Sequence, residues 1–195
     1  AYWPMDEGDG TQTVDALGRF DGSLIGGASW DDGYFGKGIK FDGSSGYVMT
    51  QAVADQLDID GKKPRTISFW VKVNGNNPQS EPGFYGYGET SSSNGMNKFW
   101  GIRNIKDGGY TQLLSQHWGW DPRAYHSDSL LERWAHFAHT FNGSELAIFM
   151  DGSSIANWTR SQISTGVAQT FQFGRWRNDS RAYFGGTLDD MRVYD

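Results

Sequence analysis

Two short stretches concentrate side chains suited to gripping a polar ligand. His117-Trp118-Gly119-Trp120-Asp121-Pro122-Arg123 sets two indoles around a glycine, and Arg175-Trp176-Arg177-Asn178 puts a third between two guanidinium groups. An indole stacks on the apolar C–H face of a sugar ring, while Asp, Asn and Arg pair with its hydroxyls. Trp118, Trp120 and Trp176 are therefore expected to be exposed stacking platforms. Asp121, Arg123, Arg175, Arg177 and Asn178 would supply the hydrogen bonds. The remaining large aromatics have a blander reading. Trp3, Phe41, Phe69 and Phe149 are expected to fill a core, and Trp70 and Trp134 to be structural.

Other chemistries find less support. Retaining glycoside hydrolysis needs two carboxyl groups about 5 Å apart across one bond. Acidic residues at alternate positions of one strand, such as Glu-x-Asp-x-Glu, would share a face and could supply them. No such triplet occurs; Asp6-Glu7, Asp31-Asp32 and Asp189-Asp190 are adjacent pairs, whose side chains diverge in a strand. His136 and His139, three residues apart, fall on opposite faces of a strand and cannot hold one ion together. With no Cys, thiolate nucleophiles, zinc-thiolate sites and redox chemistry are absent. The formal net charge of −6 and the lack of a basic stripe argue against nucleic acid. No apolar run reaches membrane-spanning length. Sequons at Asn142, Asn157 and Asn178 carry little weight, since about one or two arise by chance.

The elements that position these residues read as strands. Ile67, Phe69, Val71 and Val73 alternate with Ser68, Trp70 and Lys72, and 134–141 alternates likewise. Asn142-Gly143 and Asp151-Gly152 are hairpin signals on either side of Leu146, Ile148 and Met150. Further strands are expected at 38–49, 83–87, 99–105, 112–118 and 171–177. A short helix or helical turn fits 50–57, and exposed loops fit 74–82 and 89–97. Spacings near ten residues, with Gly, Asn and Asp between, predict an all-β, two-sheet antiparallel β-sandwich. Tyr2-Trp3 and the closing segment 184–195 both read as strands, placed to pair antiparallel and close one domain over 1–195. The abrupt ends suggest a module excised from a larger multidomain protein.

Five ordered segments resemble one family. They are Trp3-x-Met5-Asp6-Glu7-Gly8 with Asp15 and Asp21-Gly22; Phe35-Gly36-Lys37-Gly38-Ile39-Lys40-Phe41-Asp42-Gly43; Thr66-Ile67-Ser68-Phe69-Trp70-Val71; Arg133-Trp134-Ala135-His136-Phe137 with Phe141-Asn142-Gly143 and Phe149-Met150-Asp151-Gly152; and the tail. Together they resemble LamG-like jelly-roll domains of the concanavalin A-like lectin and glucanase superfamily. Ala135 departs from the pattern, which often has a second His there. The resemblance implies a jelly roll and frequent binding of carbohydrate or protein. It also implies a structural calcium in many members.

Calcium takes hard oxygen ligands from curling loops. Asp6, Asp42 and Asp189 are the candidate ligands if the terminal strands meet; alternatively these acids cap turns. The expectation is a non-catalytic carbohydrate-binding module of a secreted or cell-surface protein, acting beside other domains of its polypeptide. A protein-binding adhesion module and a glucanase-like hydrolase are the alternatives.

Overall fold

A computed structural model of the chain describes residues 1–74, 81–89, 99–107, 110–117, 119–126, 130–178 and 180–195. Trp118 and most of the two expected loops, 74–82 and 89–97, lie outside the described residues. Sixteen strands are described, in chain order β1 (Tyr2–Trp3), β2 (Gln12–Thr13), β3 (Gly22–Ile25), β4 (Ser29–Asp32), β5 (Lys37–Asp42), β6 (Tyr47–Thr50), β7 (Arg65–Val73) and β8 (Gly83–Gly88). The second half supplies β9 (Phe99–Asp107), β10 (Tyr110–Gln116), β11 (Arg123–His126), β12 (Trp134–Phe141), β13 (Glu145–Met150), β14 (Ser153–Thr159), β15 (Gln169–Phe173) and β16 (Gly185–Tyr194). Among the described residues no helix is long and apolar enough to cross a membrane.

Two antiparallel sheets form the sandwich. The first runs β14-β13-β12-β7-β16-β5-β4, with β1 added against β16; the second runs β11-β10-β9-β8-β15-β6-β3-β2. The terminal strands pair as expected, Tyr2 opposite Arg192 and Trp3 opposite Met191. The first half of β16 pairs with β5, and its register against β7 shifts between Asp189 and Arg192. Asp190 sits in that bulge with φ 54°, which turns its side chain away from Asp189. The expected strand at 38–49 is in fact two: β5 ends at Asp42 in the first sheet, and β6 starts at Tyr47 in the second. The Asp42-Gly43-Ser44-Ser45 turn makes that crossing. The segment 50–57 forms turns without a helix.

Turn chemistry behaves as the sequence indicates. Asp151 (φ 50°) and Gly152 (φ 80°) give the two positive dihedrals of a type I′ turn joining β13 to β14. Asn142 caps the preceding hairpin, its Oδ1 accepting from the Ser144 and Glu145 amides at 3.0 and 2.8 Å.

The core is strongly aromatic. Phe171 stacks on Trp3 and on Tyr85 at 5.6 Å, and Phe69 packs on Phe84 at 5.5 Å. Full burial of such side chains contributes ~1.5–3 kcal/mol each. Gly174 admits the Phe41 ring, since a Cβ there would lie 2.2 Å from it. Phe149 does not join this core. It points outward from β13 and is half-buried, because Leu146, Ile148 and Met150 take the inward alternation.

A polar chain crosses this interior. Trp100 Nε1 donates to the Tyr85 hydroxyl at 3.1 Å, and that hydroxyl lies 2.6 Å from His139 Nδ1. His139 Nε2 lies 2.8 Å from Ser115 Oγ, which lies 2.6 Å from His117 Nε2. Because the Tyr85 oxygen accepts from Trp100, its own proton goes to His139 Nδ1. His139 Nε2–H then donates to Ser115, and Ser115 donates to His117. His139 is neutral in this order, and burial, with His117 and Arg65 nearby, holds its pKa well below the usual value. His136 and His139 do face opposite ways: His136 is half-buried on the outer face and His139 is fully buried.

Candidate functional site: an amide-lined trough on the second sheet

The inward residues of β8, β9, β10 and β15 are Tyr85, Tyr87, Trp100, Ile102, Leu113, Ser115, Phe171 and Phe173, all fully buried. Alternation therefore sends Gly86, Gly101, Gln112, Gln116 and Gln172 to the outer face. The register aligns them in one row: Gln172 opposite Gly86, Gly86 opposite Gly101, and Gly101 opposite Gln116. Gln116 and Gln172 thus stand three strand spacings apart, ~14 Å, over a floor with no side chains. That is a trough.

The glutamines are held by residues the sequence singled out. Gln116 Nε2 donates to Asp121 Oδ1 at 2.8 Å, and the same oxygen accepts from the His117 backbone at 2.9 Å. Gln172 Oε1 accepts from Arg175 Nε at 2.8 Å. Arg175 is itself fixed: its guanidinium lies 3.4 Å above the Tyr47 ring and bonds Asn178 Oδ1 at 3.2 Å. These partners settle each amide's orientation, and they leave Gln116 Oε1 and Gln172 Nε2 unpaired, together with Gln112 Nε2. All three side chains are shielded, with 2 % exposure at most. A buried polar atom without a partner costs ~1–3 kcal/mol. Such groups are uncommon in folded proteins and call for an explanation at each site. Here they offer one acceptor and two donors on one face of one sheet.

The predicted residues divide. Asp121 and Arg175 are brought to the two ends of this row, and Asn178 steadies Arg175. Arg123 is exposed on β11, and its Nη1 lies 3.4 Å from Gln112 Oε1. Trp176 corrects the expectation: it is 1 % exposed and donates Nε1–H to the Glu81 carbonyl at 2.8 Å. It lies on Gly83, where even a Cβ would fall 2.4 Å from it, so it cannot stack on a ligand. Arg177 covers that indole from 4.3 Å. Trp120 is half-buried against the core, with Arg160 at 5.1 Å from its ring. Its role is edge packing. Trp70 and Trp134 are likewise not in the core; they stand half-buried on the outer face of the first sheet.

Sequence reasoning missed Gln112, Gln116, Gln172, Gly86 and Gly101, and also Tyr125, which is 62 % exposed opposite Gln112. The period-2 pattern Gln112-x-Leu114-x-Gln116 was the available signal. It needed the facing strands to become a site.

The calcium set does not assemble from the three expected carboxylates. Asp42 pairs with Gly185, four residues before Asp189 on β16, a separation of ~13 Å along the strand. Burial alone would raise the Asp42 pKa, but donors from Ser45, Ser44 and Gly46 hold it well below the usual carboxylate range. Its Oδ2 takes the Ser44 and Ser45 hydroxyls at 2.7 and 2.8 Å, so both oxygens serve the turn. Asp6 Oδ1 accepts from the Lys37 amide at 2.9 Å. Asp189 Oδ2 accepts from the Tyr34 and Phe35 amides at 2.8 and 2.9 Å. Burial pushes the Asp189 carboxyl up to about 6 against those two bonds. Asp6 and Asp189 thus hold opposite ends of the 33–37 loop. Among the described residues no group of three or more His, Asp or Glu is placed to hold a metal.

The fold and its ordered segments agree with a family model described as the concanavalin A-like lectin/glucanases superfamily, which matches residues 42–195. The chain belongs to that superfamily. No curated protein sequence matches this member. Among solved structures, domain 4 of AbnA, a GH43 extracellular arabinanase from Geobacillus stearothermophilus in complex with arabinotriose, is similar at 19% identity and TM-score 0.72. That match covers 100% of this chain and 91% of that one. The binding domain of botulinum neurotoxin serotype D/C gives 13% identity and TM-score 0.70, over 99% of this chain and 47% of that one. Mouse laminin α1 domains LG4-5 give 15% identity and TM-score 0.54, over 80% and 40%. At these identities the likeness concerns the fold.

Proposed function

We propose that this domain is a non-catalytic carbohydrate-binding module whose ligand lies in the trough between Gln116 and Gln172. The carrying observation is the set of buried, unpaired amide atoms beside a glycine floor. Sugar hydroxyls both donate and accept, so separate hydroxyls of one oligosaccharide suit Gln116 Oε1 and the Gln112 and Gln172 Nε2 groups. Glycine at 86 and 101 puts no side chain between the two glutamines. The exposed Tyr125 and Arg123 extend the surface at the β11 edge, where a sugar face can stack. Carboxamides do not ionise near neutral pH and so cannot act as general acids or bases, and the carboxylate beside the row, Asp121, is committed to Gln116 and His117. The arrangement therefore suits recognition better than hydrolysis. The similar domain of an extracellular arabinanase, solved with arabinotriose, supports this reading. A secreted or surface location follows from it.

Titration calorimetry with arabinotriose and other neutral oligosaccharides tests the proposal, on wild type, Gln116→Leu and Gln172→Leu. Each substitution is expected to weaken binding roughly 10- to 100-fold, the equivalent of ~1–3 kcal/mol for one lost buried bond. Unchanged affinity in both variants would remove the trough from consideration. Binding of a protein in place of any glycan would favour the adhesion reading.

A further inference from the structure

The outer face of the first sheet carries a second cavity, of about 600 Å³. That lies within the usual range for small-molecule clefts. Cross-strand register builds it from short side chains. Tyr194 faces Thr66, Thr66 faces Thr140, Thr140 faces Ala147, and Ala147 faces Asn157. The next outward row is Arg192, Ser68, Ala138 and Phe149. Small residues in the middle of both rows leave a hollow, with Phe149 and Tyr194 as its aromatic surfaces.

The polar side chains there are available. Thr66, Thr140, Ser154 and Asn157 line or adjoin the hollow, and none of them makes a side-chain hydrogen bond within the protein. The charge at the site selects among ligands. Glu145 and Asp195 bring carboxylates to the wall. Arg65 also lines it, but its guanidinium is turned inward: it bonds Thr165 Oγ1 at 2.6 Å and the Lys63 carbonyl at 2.8 Å, and lies 4.1 Å over Trp100. Arg192, in the adjoining row, is engaged by Asp190 at 3.1 Å, so an anionic ligand in the hollow meets carboxylates and only cations already bonded to other groups.

Farther along the same strands, on the same outer face, lies an aromatic ledge. Trp70, four residues from Thr66 on β7 and so ~13 Å away, carries Tyr34 stacked at 3.5 Å with 9° between the planes. Tyr34 and Phe35 remain 44% and 58% exposed. Asp189 fixes that ledge by accepting both of their amides.

We infer that this face is a second, independent glycan site, which takes a neutral oligosaccharide running from the Thr66–Thr140 hollow over Ser68 and Ala138 to the Tyr34 ledge. Hydroxyl and amide groups in the hollow bond the sugar hydroxyls, Phe149 and Tyr34 meet its apolar faces, and the wall carboxylates exclude sulfated and uronic-acid chains. Asp189 is a positioning residue, acting through the loop it holds. The module is then bivalent, with its two sites on opposite faces of the sandwich, able to bridge two chains of a polysaccharide or to gain avidity on one surface.

The test is calorimetric stoichiometry on the full chain with neutral fragments of arabinan, xylan and β-glucan, beside sulfated and uronic-acid oligosaccharides. Two sites per chain are expected for a neutral probe. Phe149→Ala and, separately, Asn157→Ala on the exposed edge strand should each weaken one site at least tenfold and leave the Gln116–Gln172 site unaltered. If Phe149→Ala does not fold, Asn157→Ala and the heteronuclear NMR shifts of Thr66 and Thr140 on titration carry the test. A stoichiometry of one that is lost in Gln172→Leu and untouched by Asn157→Ala would overturn this site while leaving the trough standing. Loss confined to Asn157→Ala and Phe149→Ala would support this site and sink the trough. Tighter binding of the anionic probes, or no binding of any neutral one, would also overturn it.

Discussion

Ser115 is the joint of the buried polar chain, and replacing it by Ala isolates what that chain contributes. The hydroxyl accepts from His139 Nε2 at 2.8 Å and donates to His117 Nε2 at 2.6 Å. Both imidazoles and Ser115 are fully buried, so water has no route to replace either bond. Each abandoned buried group costs ~1–3 kcal/mol, so the pair sets a range of roughly 2–6 kcal/mol, with about 3 kcal/mol expected after local relaxation. For a domain of this size that corresponds to a fall in Tm of roughly 6–12 °C. Urea unfolding and calorimetry at pH 7.5 measure both quantities, with exposed Ser153→Ala as a control expected to change stability by less than ~0.5 kcal/mol. A loss below ~1 kcal/mol for Ser115→Ala would refute the argument, because it would mean that the imidazoles find other partners. The measurement bears on function as well. Ser115 points inward from the strand whose outward side chains are Gln112, Leu114 and Gln116, so the chain helps to fix the strand that carries half the trough.

Three further outcomes follow from the same geometry. His139 has a folded-state pKa depressed by burial, so its contribution to stability is complete above pH 6.5 and is lost as pH falls below it, at up to ~1.4 kcal/mol per pH unit. Asp189, raised to about 6, works the other way: its buried charge costs stability above that pH, and protonation recovers it between about 6 and 4. Urea midpoints from pH 8 to 4 should therefore fall and then level in wild type, and keep falling in Asp189→Asn; parallel curves would contradict this assignment. Trp176→Ala should destabilise by ~3–5 kcal/mol, as a buried indole does, with the loss read by calorimetry in ligand-free protein; a variant of wild-type stability would restore Trp176 as an exposed platform. Gly174→Ala should fold poorly or lose several kcal/mol, since its φ is +81° and its Cβ would enter the Phe41 ring; near-wild-type expression and Tm would show that β15 can shift away.

Much of the architecture was legible along the chain. Alternation over 66–73 and 134–141 became β7 and β12, and Asn142-Gly143 and Asp151-Gly152 turned where their backbone freedom indicates. The terminal strands met, as two apolar segments at the ends of one domain suggested. The break at Asp42 was hidden because a run of apolar and polar residues does not reveal a strand leaving one sheet for the other. Site residues were harder to read. Asp121 and Arg175 stand out through their polar, aromatic neighbourhoods, and both lie beside the buried glutamine row, but Trp176 is buried and Trp120 half-buried, both as packing residues. The carboxylates Asp6, Asp42 and Asp189 were expected to share a calcium ion; they serve turns and loop ends instead, and the distance of Asp42 from Asp189 depends on the register of β5 against β16.

The sequence by itself determined which residues share a strand face, because side-chain alternation is a local property of extended backbone. It also determined where the chain turns, because few residues accept positive φ. Only the tertiary structure decided which of the two faces looks into the core and which strands lie side by side. Those depend on pairings between residues far apart in the chain, whose gain comes from burying apolar area across two sheets at once. Hence Gln116 and Gln172, separated by 56 residues in sequence, became the two walls of one trough. Trp176, conspicuous among its charged neighbours, became part of the packing beneath them.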